Sequence, residues 1–266
     1  MRLPLAIMAA AVTQAAVSTA SSLTPPVLPL IVRNPYLSTW LGDAREAPWS
    51  KWPMFYTGEE VGLSLMAHVP SQGAVYPLLG KPQDSLPSDQ VQFPEYLGNN
   101  YDASTTNLTY RIDTGSSNPL DITVSFLSPI TPSSTLRQSI PASYITIDVH
   151  GETDVNIYMD IDARWVSGDH GSRVNWQWDT VDVKDKKSKK PTLQRWQVRR
   201  EQELHLSEIR DRAEWGTLHF TGPAVSEIRY QANFQKLDDA NILNRLPNIN
   251  PERQQRFVEV SQRPAP

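Results

Sequence analysis

From Val61 onward the chain alternates apolar and polar residues at a period of two. Val61, Leu63, Leu65 and Ala67 share one face, and Leu108, Tyr110 and Ile112 share another. Leu120, Ile122, Val124 and Phe126 form a third stripe, and Val155, Ile157, Met159, Ile161 and Ala163 a fourth. Successive side chains on an extended backbone point to opposite faces, so each stripe predicts a strand with one buried face. The run from Tyr144 to Val149 precedes the fourth stripe, and the two fit a hairpin turning through residues 151–153. Further strands are expected at 174–178, 196–199, 216–221 and 228–232. Strands of this length, separated by turn residues, favour layered antiparallel sheets over a βαβ design. The expected fold class is therefore all-β, a large antiparallel β-sandwich of supersandwich type with one or two short helices. Helical signal is confined to 207–213, with Ser207 as N-cap, and to 238–245.

The pattern divides the chain into four parts. Residues 1–20 have the layout of a secretory signal peptide: Arg2, an apolar run over 3–16, then the small residues Ser18-Thr19-Ala20 before a cut. That run is short for a membrane span, and no later stretch approaches 18 uninterrupted apolar residues, so no membrane partner is expected. A secreted, extracellular protein is the resulting expectation. Residues 21–60 form an arm rich in proline and aromatics, with Pro25, Pro26, Pro29 and Pro35 extending it and its apolar side chains laid against a sheet. Tyr36, Trp40, Trp49, Trp52, Phe55 and Tyr56 follow as an aromatic cluster. Residues 61–237 are the sandwich domain, with a turn-rich surface excursion at 80–106 and a lysine-rich hairpin tip at 184–190. Residues 238–266 read as a divergent, loosely ordered tail.

Composition narrows the function classes. The 22 prolines against 12 glycines disfavour a helical body, because proline removes a backbone donor and clashes inside a helix. With 25 Lys and Arg against 29 Asp and Glu the net charge is −4, which argues against an electrostatic nucleic-acid binder. The absence of cysteine excludes a disulfide framework, a thiolate metal site and a cysteine nucleophile. The serine-hydrolase elbow, the phosphate loop, the HExxH zinc motif and the dinucleotide glycine motif are all missing from the sequence. Asn107-Leu108-Thr109 is the sole N-glycosylation sequon, making Asn107 a candidate glycosylation site at the start of a strand.

Candidate chemistry is sparse. Asp160 and Asp162 lie two apart on a strand and share a face, where with Asp169 and His170 they would offer oxygen and nitrogen ligands to a cation. The plainer reading puts both aspartates on the wet side of a half-buried strand whose core face is Ile157, Met159 and Ile161. The five histidines, His68, His150, His170, His205 and His219, are too scattered to form a ligand motif. No metal and no cofactor are therefore expected. Eight tryptophans remain to be placed. Trp165, Trp176 and Trp196 have the neighbours of core residues, and exposed rings would stack on sugars. The residues alone thus leave a glycan- or cell-wall-binding module open as an alternative.

Longer segments carry a resemblance. The arm Pro26-Val27-Leu28-Pro29-Leu30-Ile31-Val32-Arg33-Asn34-Pro35-Tyr36-Leu37-Ser38-Thr39-Trp40-Leu41 is followed by Trp52-Pro53-Met54-Phe55-Tyr56-Thr57-Gly58. Then come the stretch from Ser125 to Tyr144, the stretch from Val155 through Asp160-Ile161-Asp162-Ala163-Arg164-Trp165-Val166-Ser167-Gly168-Asp169, and Asp211-Arg212-Ala213-Glu214-Trp215-Gly216. Together, over about residues 24–237 and in this order, they resemble the N-terminal, β-rich region of the fungal glutaminase A family. The resemblance implies a secreted relative of enzymes that hydrolyse the side-chain amide of L-glutamine to glutamate and ammonia. It also implies a mainly helical catalytic-type domain as partner, which in the family follows this region, and a small-molecule amide as ligand. The likeness ends at about Asp238, which leaves either a product cut short or a stand-alone descendant of the front module. It assigns no catalytic residues, and an incomplete active site is the expectation for this chain.

Overall fold

The computed structural model describes residues 24–182, 192–224, 228–232 and 256–262. The signal segment, the lysine-rich tip and the helix expected at 238–245 lie outside them. Three short strands open the chain: β1 (Leu28–Ile31), β2 (Thr39–Leu41) and β3 (Met54–Phe55). Next come β4 (Leu63–Val69), β5 (Ala74–Leu79), β6 (Glu95–Tyr101), β7 (Thr105–Ile112) and β8 (Leu120–Leu127). A single helical turn, α1 (Thr135–Gln138), precedes β9 (Tyr144–His150) and β10 (Val155–Ile161). The remainder is β11 (Val174–Asp182), β12 (Thr192–Arg200), β13 (Glu208–Ile209), β14 (Arg212–Ala213), β15 (Thr217–Pro223), β16 (Ile228–Ala232) and β17 (Arg256–Gln262). The protein is all-β, as the alternation predicts.

Two antiparallel sheets make the body. One is the meander β6-β7-β8-β9, and the other has the order β16-β17-β10-β4-β5. The predicted stripes on β7 and β8 face inward and meet Leu63, Leu65, Ala67, Ile157 and Ile161 from β4 and β10 in one hydrophobic core. Tyr110 of β7, fully buried, donates its hydroxyl hydrogen to the Leu78 carbonyl of β5 at 2.7 Å and so links the two sheets. Burial of that phenol pushes its pKa well above the ordinary value. The arm behaves as its apolar residues suggest: β1 packs on β7 and β8, with Leu28 and Leu30 in the core. Two three-stranded sheets, β1-β2-β3 and β11-β12-β15, and the two-stranded β13-β14 complete the described fold.

Four local expectations are corrected. First, β9 pairs with β8 whereas β10 pairs with β4 and β17, so residues 151–154 cross between sheets instead of closing a hairpin. Second, the segment expected as a helix at 207–213 is the tight hairpin β13-β14, turning through Arg210 (φ 50°) and Asp211 (φ 60°). Left-handed backbone at two successive residues ends any helix and suits a two-residue hairpin turn. Third, the 80–106 excursion contains a full strand, β6, paired along β7. Fourth, β10 is covered on both faces, so Asp160 and Asp162 are buried. Within the span expected as a loose tail, residues 256–262 form β17 beside β10.

Complete burial makes the inward stripe the stability determinant. Ile122→Ala is expected to lower the unfolding free energy by about 2–5 kcal/mol. Thr123→Ala, on the outward face of the same strand, should stay within about 0.5 kcal/mol. Urea titration of the two variants checks the contrast.

Candidate functional site

Three of the segments that carry the family resemblance converge at one corner. They are 52–58, the end of the 155–169 stretch, and 211–216. The joint is Glu214, whose side chain is completely buried. Its carboxylate accepts a hydrogen bond from Ser167 Oγ at 2.7 Å and from the Gly168 amide at 2.8 Å, and it pairs with the Arg200 guanidinium at the end of β12. Arg200 also reaches Asp169 at 3.5 Å. Gly168 has to be glycine here, because a Cβ would collide with the Ile209 carbonyl of the hairpin. The hairpin therefore sits directly on the Ser167-Gly168 turn. A buried carboxylate is tolerable only when charge and hydrogen bonds replace its water, and these donors do so.

Arg212 is the second anchor and is 1% exposed. Its guanidinium carbon lies 4.5 Å from the centre of the Phe55 ring, and its Nη1 donates to Glu59 at 2.6 Å. Arg210 reaches the other oxygen of Glu59 at 3.2 Å. Burial alone would raise the Glu59 carboxyl. The Arg212 hydrogen bond and the charges of Arg212, Arg210 and His170 outweigh it and hold the pKa below the ordinary value. Nε and Nη2 of Arg212 are buried without a hydrogen-bond partner. Each such orphaned donor costs about 1–3 kcal/mol.

The rim of the corner is aromatic and acidic. Tyr36 donates to Glu208 at 2.5 Å and meets Trp215 edge-on, with ring centres 6.1 Å apart. The bond to Glu208 raises the Tyr36 pKa. Tyr56, packed on Phe55, is raised by burial and then by the charge of Asp211. Leu206, Arg210 and Asp211 are the non-glycine residues with positive φ among the described residues, and all three lie here. Leu206 is 91% exposed although its loop is tied down, with the Leu204 amide donating to the Glu214 carbonyl. Strained backbone gathered in six residues marks a candidate functional site. Glu214 thus accepts from three donors, two at Oε2 and one at Oε1, and ties the turn after β10 and the end of β12 to the hairpin.

The other candidate residues are not brought to one place. Asp160 accepts from Ser64 at 2.6 Å and from Tyr158 at 3.0 Å. Asp162 caps the 3₁₀ turn Ala163–Trp165, accepting from the Arg164 amide at 2.9 Å. Asp169 turns to Arg200, and His170 lies near Glu59. Among the described residues no group of three or more such side chains is arranged to hold a metal. His68 lies near Asn156, and its pKa is lowered by burial. His150 and His205 are exposed, and the His219 pKa is lowered by burial and then by Arg195. Asn107 lies on the outward face of β7, between Asn100 of β6 and Ser125 of β8. Of the eight tryptophans only Trp215 is exposed, at 37%, so no row of open rings forms. Glu59, Arg200, Arg212 and Glu214 were not singled out by pattern. The one available signal was the period-two placement of Arg212 and Glu214, the spacing of one strand face.

Comparison with known proteins gives this corner a context. Residues 106–255, more than half of the chain, match the family model described as "Domain of unknown function (DUF5127)". The chain belongs to that family. It is also 52% identical over 236 residues to a probable glutaminase of Arthroderma benhamiae, covering 87% of this chain and 27% of that protein. It is 30% identical over 226 residues to Glutaminase A of Aspergillus oryzae, covering 82% of this chain and 30% of that protein. The likeness to the glutaminase A family is thus real, and the chain spans less than a third of the length of these relatives.

The buried Asp160 gives a pH prediction. Burial raises its carboxyl from 3.8 to about 7, against the lowering effect of Ser64 and Tyr158. Between those values the folded protein keeps a proton that the unfolded chain releases, so stability falls as pH rises. The full span is worth about 4 kcal/mol. Asp160→Asn should flatten this part of the stability–pH curve, measured as urea midpoints from pH 4 to 8. An unchanged slope would refute the assignment.

Proposed function

We propose that this chain is the β-sandwich module of a secreted, glutaminase A-like amidohydrolase, and that it has little or no activity alone. The observation that supports it is the 52% identity to a probable glutaminase of which the chain covers 27%. Hydrolysis of a side-chain amide needs an activated water or nucleophile, an acid for the departing ammonia, and donors aimed at the developing oxyanion. The described corner holds its most buried carboxylate, Glu214, in bonds to Ser167, Gly168 and Arg200, a structural use that supports reacting groups lying elsewhere. A deep pocket commonly forms where domains meet, and a mainly helical partner domain would complete it. Secretion with a cut after Ala20 and a glycan on Asn107 belong to the same reading.

An ammonia-release assay tests it. The purified chain should give no turnover of L-glutamine above background. Robust turnover by the chain alone would overturn the proposal. Intact mass of protein from a secreting host should show loss of residues 1–20 and an enzyme-removable glycan on Asn107.

A further inference from the structure

An edge strand offers unpaired backbone groups to any passing chain, and this fold blunts two of its edges. β6, at one end of the meander sheet, carries a bulge between Tyr96 and Gly98. β5, at the end of the five-stranded sheet, contains Pro77, and residues 90–92 run beside it, bonded to both backbone groups of Val75. β9, at the other end of the meander, has neither device. Its register against β8 is one-to-one from Tyr144 to His150, and the strand contains no proline, glycine, lysine or arginine. Among the described residues nothing pairs with its outer edge. The apolar row of β9 is unfinished as well. Ile122, Val124 and Phe126 of β8 are fully buried, whereas their partners Val149, Ile147 and Ile145 are only partly so. Ahead of the strand, Ile130, Leu136 and Ile140 are exposed on a loop that is nonetheless fixed. Arg33 donates to its Arg137 carbonyl at 3.3 Å, and the hydroxyls of Ser128 and Ser143 are 3.2 Å apart.

We infer that β9 pairs antiparallel with β9 of a second copy of this chain, about a two-fold axis at Ile147. This register uses the whole strand. It sets Ile145 against the second copy's Val149 and Ile147 against its own equivalent, so the two half-covered apolar rows close on each other. Tyr144, Thr146, Asp148 and His150 share the exposed face. There the register sets Thr146 opposite Asp148 and Tyr144 opposite His150, so a hydroxyl meets each carboxylate and no like charges lie directly opposite. The strand is complementary to its own reverse, as a two-fold interface requires. The two meanders become one eight-stranded sheet, and each 128–143 loop runs past the end of the second copy's strand. A strand edge alone is small for a stable interface, and the exposed apolar side chains of that loop add to it.

Sedimentation velocity of the purified chain over a range of concentrations should show a monomer–dimer equilibrium. Thr146 is exposed, so a charge can be placed there without entering the core. Thr146→Asp, opposite Asp148, should weaken the dimer at least about fivefold, and Thr146→Lys should tighten it, with far-ultraviolet circular dichroism unchanged in both. The chain has no cysteine, so Ile147→Cys marks the axis without interference. With oxidised glutathione this variant should form a disulfide-linked dimer. His150→Cys, about 20 Å from its counterpart in this register, should not. A chain that stays monomeric at every concentration overturns the inference and leaves the edge to a different partner. A dimer that ignores the charge at residue 146, or that gives no cross-link at residue 147, overturns it too, because it forms through another surface.

Discussion

A carboxylate with no exposure has to find its solvation inside the protein, and for Glu214 that requirement organises a whole corner of the molecule. Its donors come from the turn after β10 and from the end of β12, while Glu214 itself follows the hairpin β13-β14. Removing Arg200 would leave the carboxylate's charge buried and uncompensated, a costlier state than the loss of a surface ion pair. The side chain therefore closes a loop of dependencies between distant parts of the chain. Gly168 extends this constraint into sterics, because only a residue without a Cβ lets the hairpin backbone settle against it.

The corner inherits its shape from the two sheets. β10 is central in the five-stranded sheet and ends where the Ala163–Trp165 turn begins, so the residues after it emerge at one rim. β3 delivers Phe55 to the same rim, and Arg212 lies over it. Rigid strands thus aim a few polar side chains, while the strained loop and hairpin carry the exposed groups Leu206, Arg210 and Trp215. This division suits a module whose body is a scaffold and whose rim meets a ligand or a neighbouring domain.

Much of the scaffold is legible in the sequence, because alternation reports burial directly. The stripes on β4, β7, β8 and β10 lie in the core as their spacing implies. Alternation does not report pairing, however. The Gly151 turn after β9 looks like a hairpin because a crossover to the opposite sheet has the same local chemistry. Nor does it reveal a strand covered on both sides, which is why Asp160 reads as a wet residue and is buried against Ser64 and Tyr158. At 207–213 an N-cap serine and charged residues mimic a helix start. Arg212 and Glu214 are instead anchored inward by Glu59 and Arg200, partners more than ten residues away that no local window contains. The candidate site was hidden for the same reason: its members lie in segments already notable for their likeness to glutaminases, but their charges pair only through the tertiary fold.

A double-mutant cycle between Arg200 and Glu214 tests most directly whether that buried pair holds the corner together. Urea unfolding of Arg200→Met, Glu214→Gln and the combined variant gives the coupling energy. The account predicts strong coupling, about 1–3 kcal/mol, with the double variant much less damaged than the sum of the singles. Additivity within about 0.3 kcal/mol would contradict it, since the two side chains would then be stabilised independently.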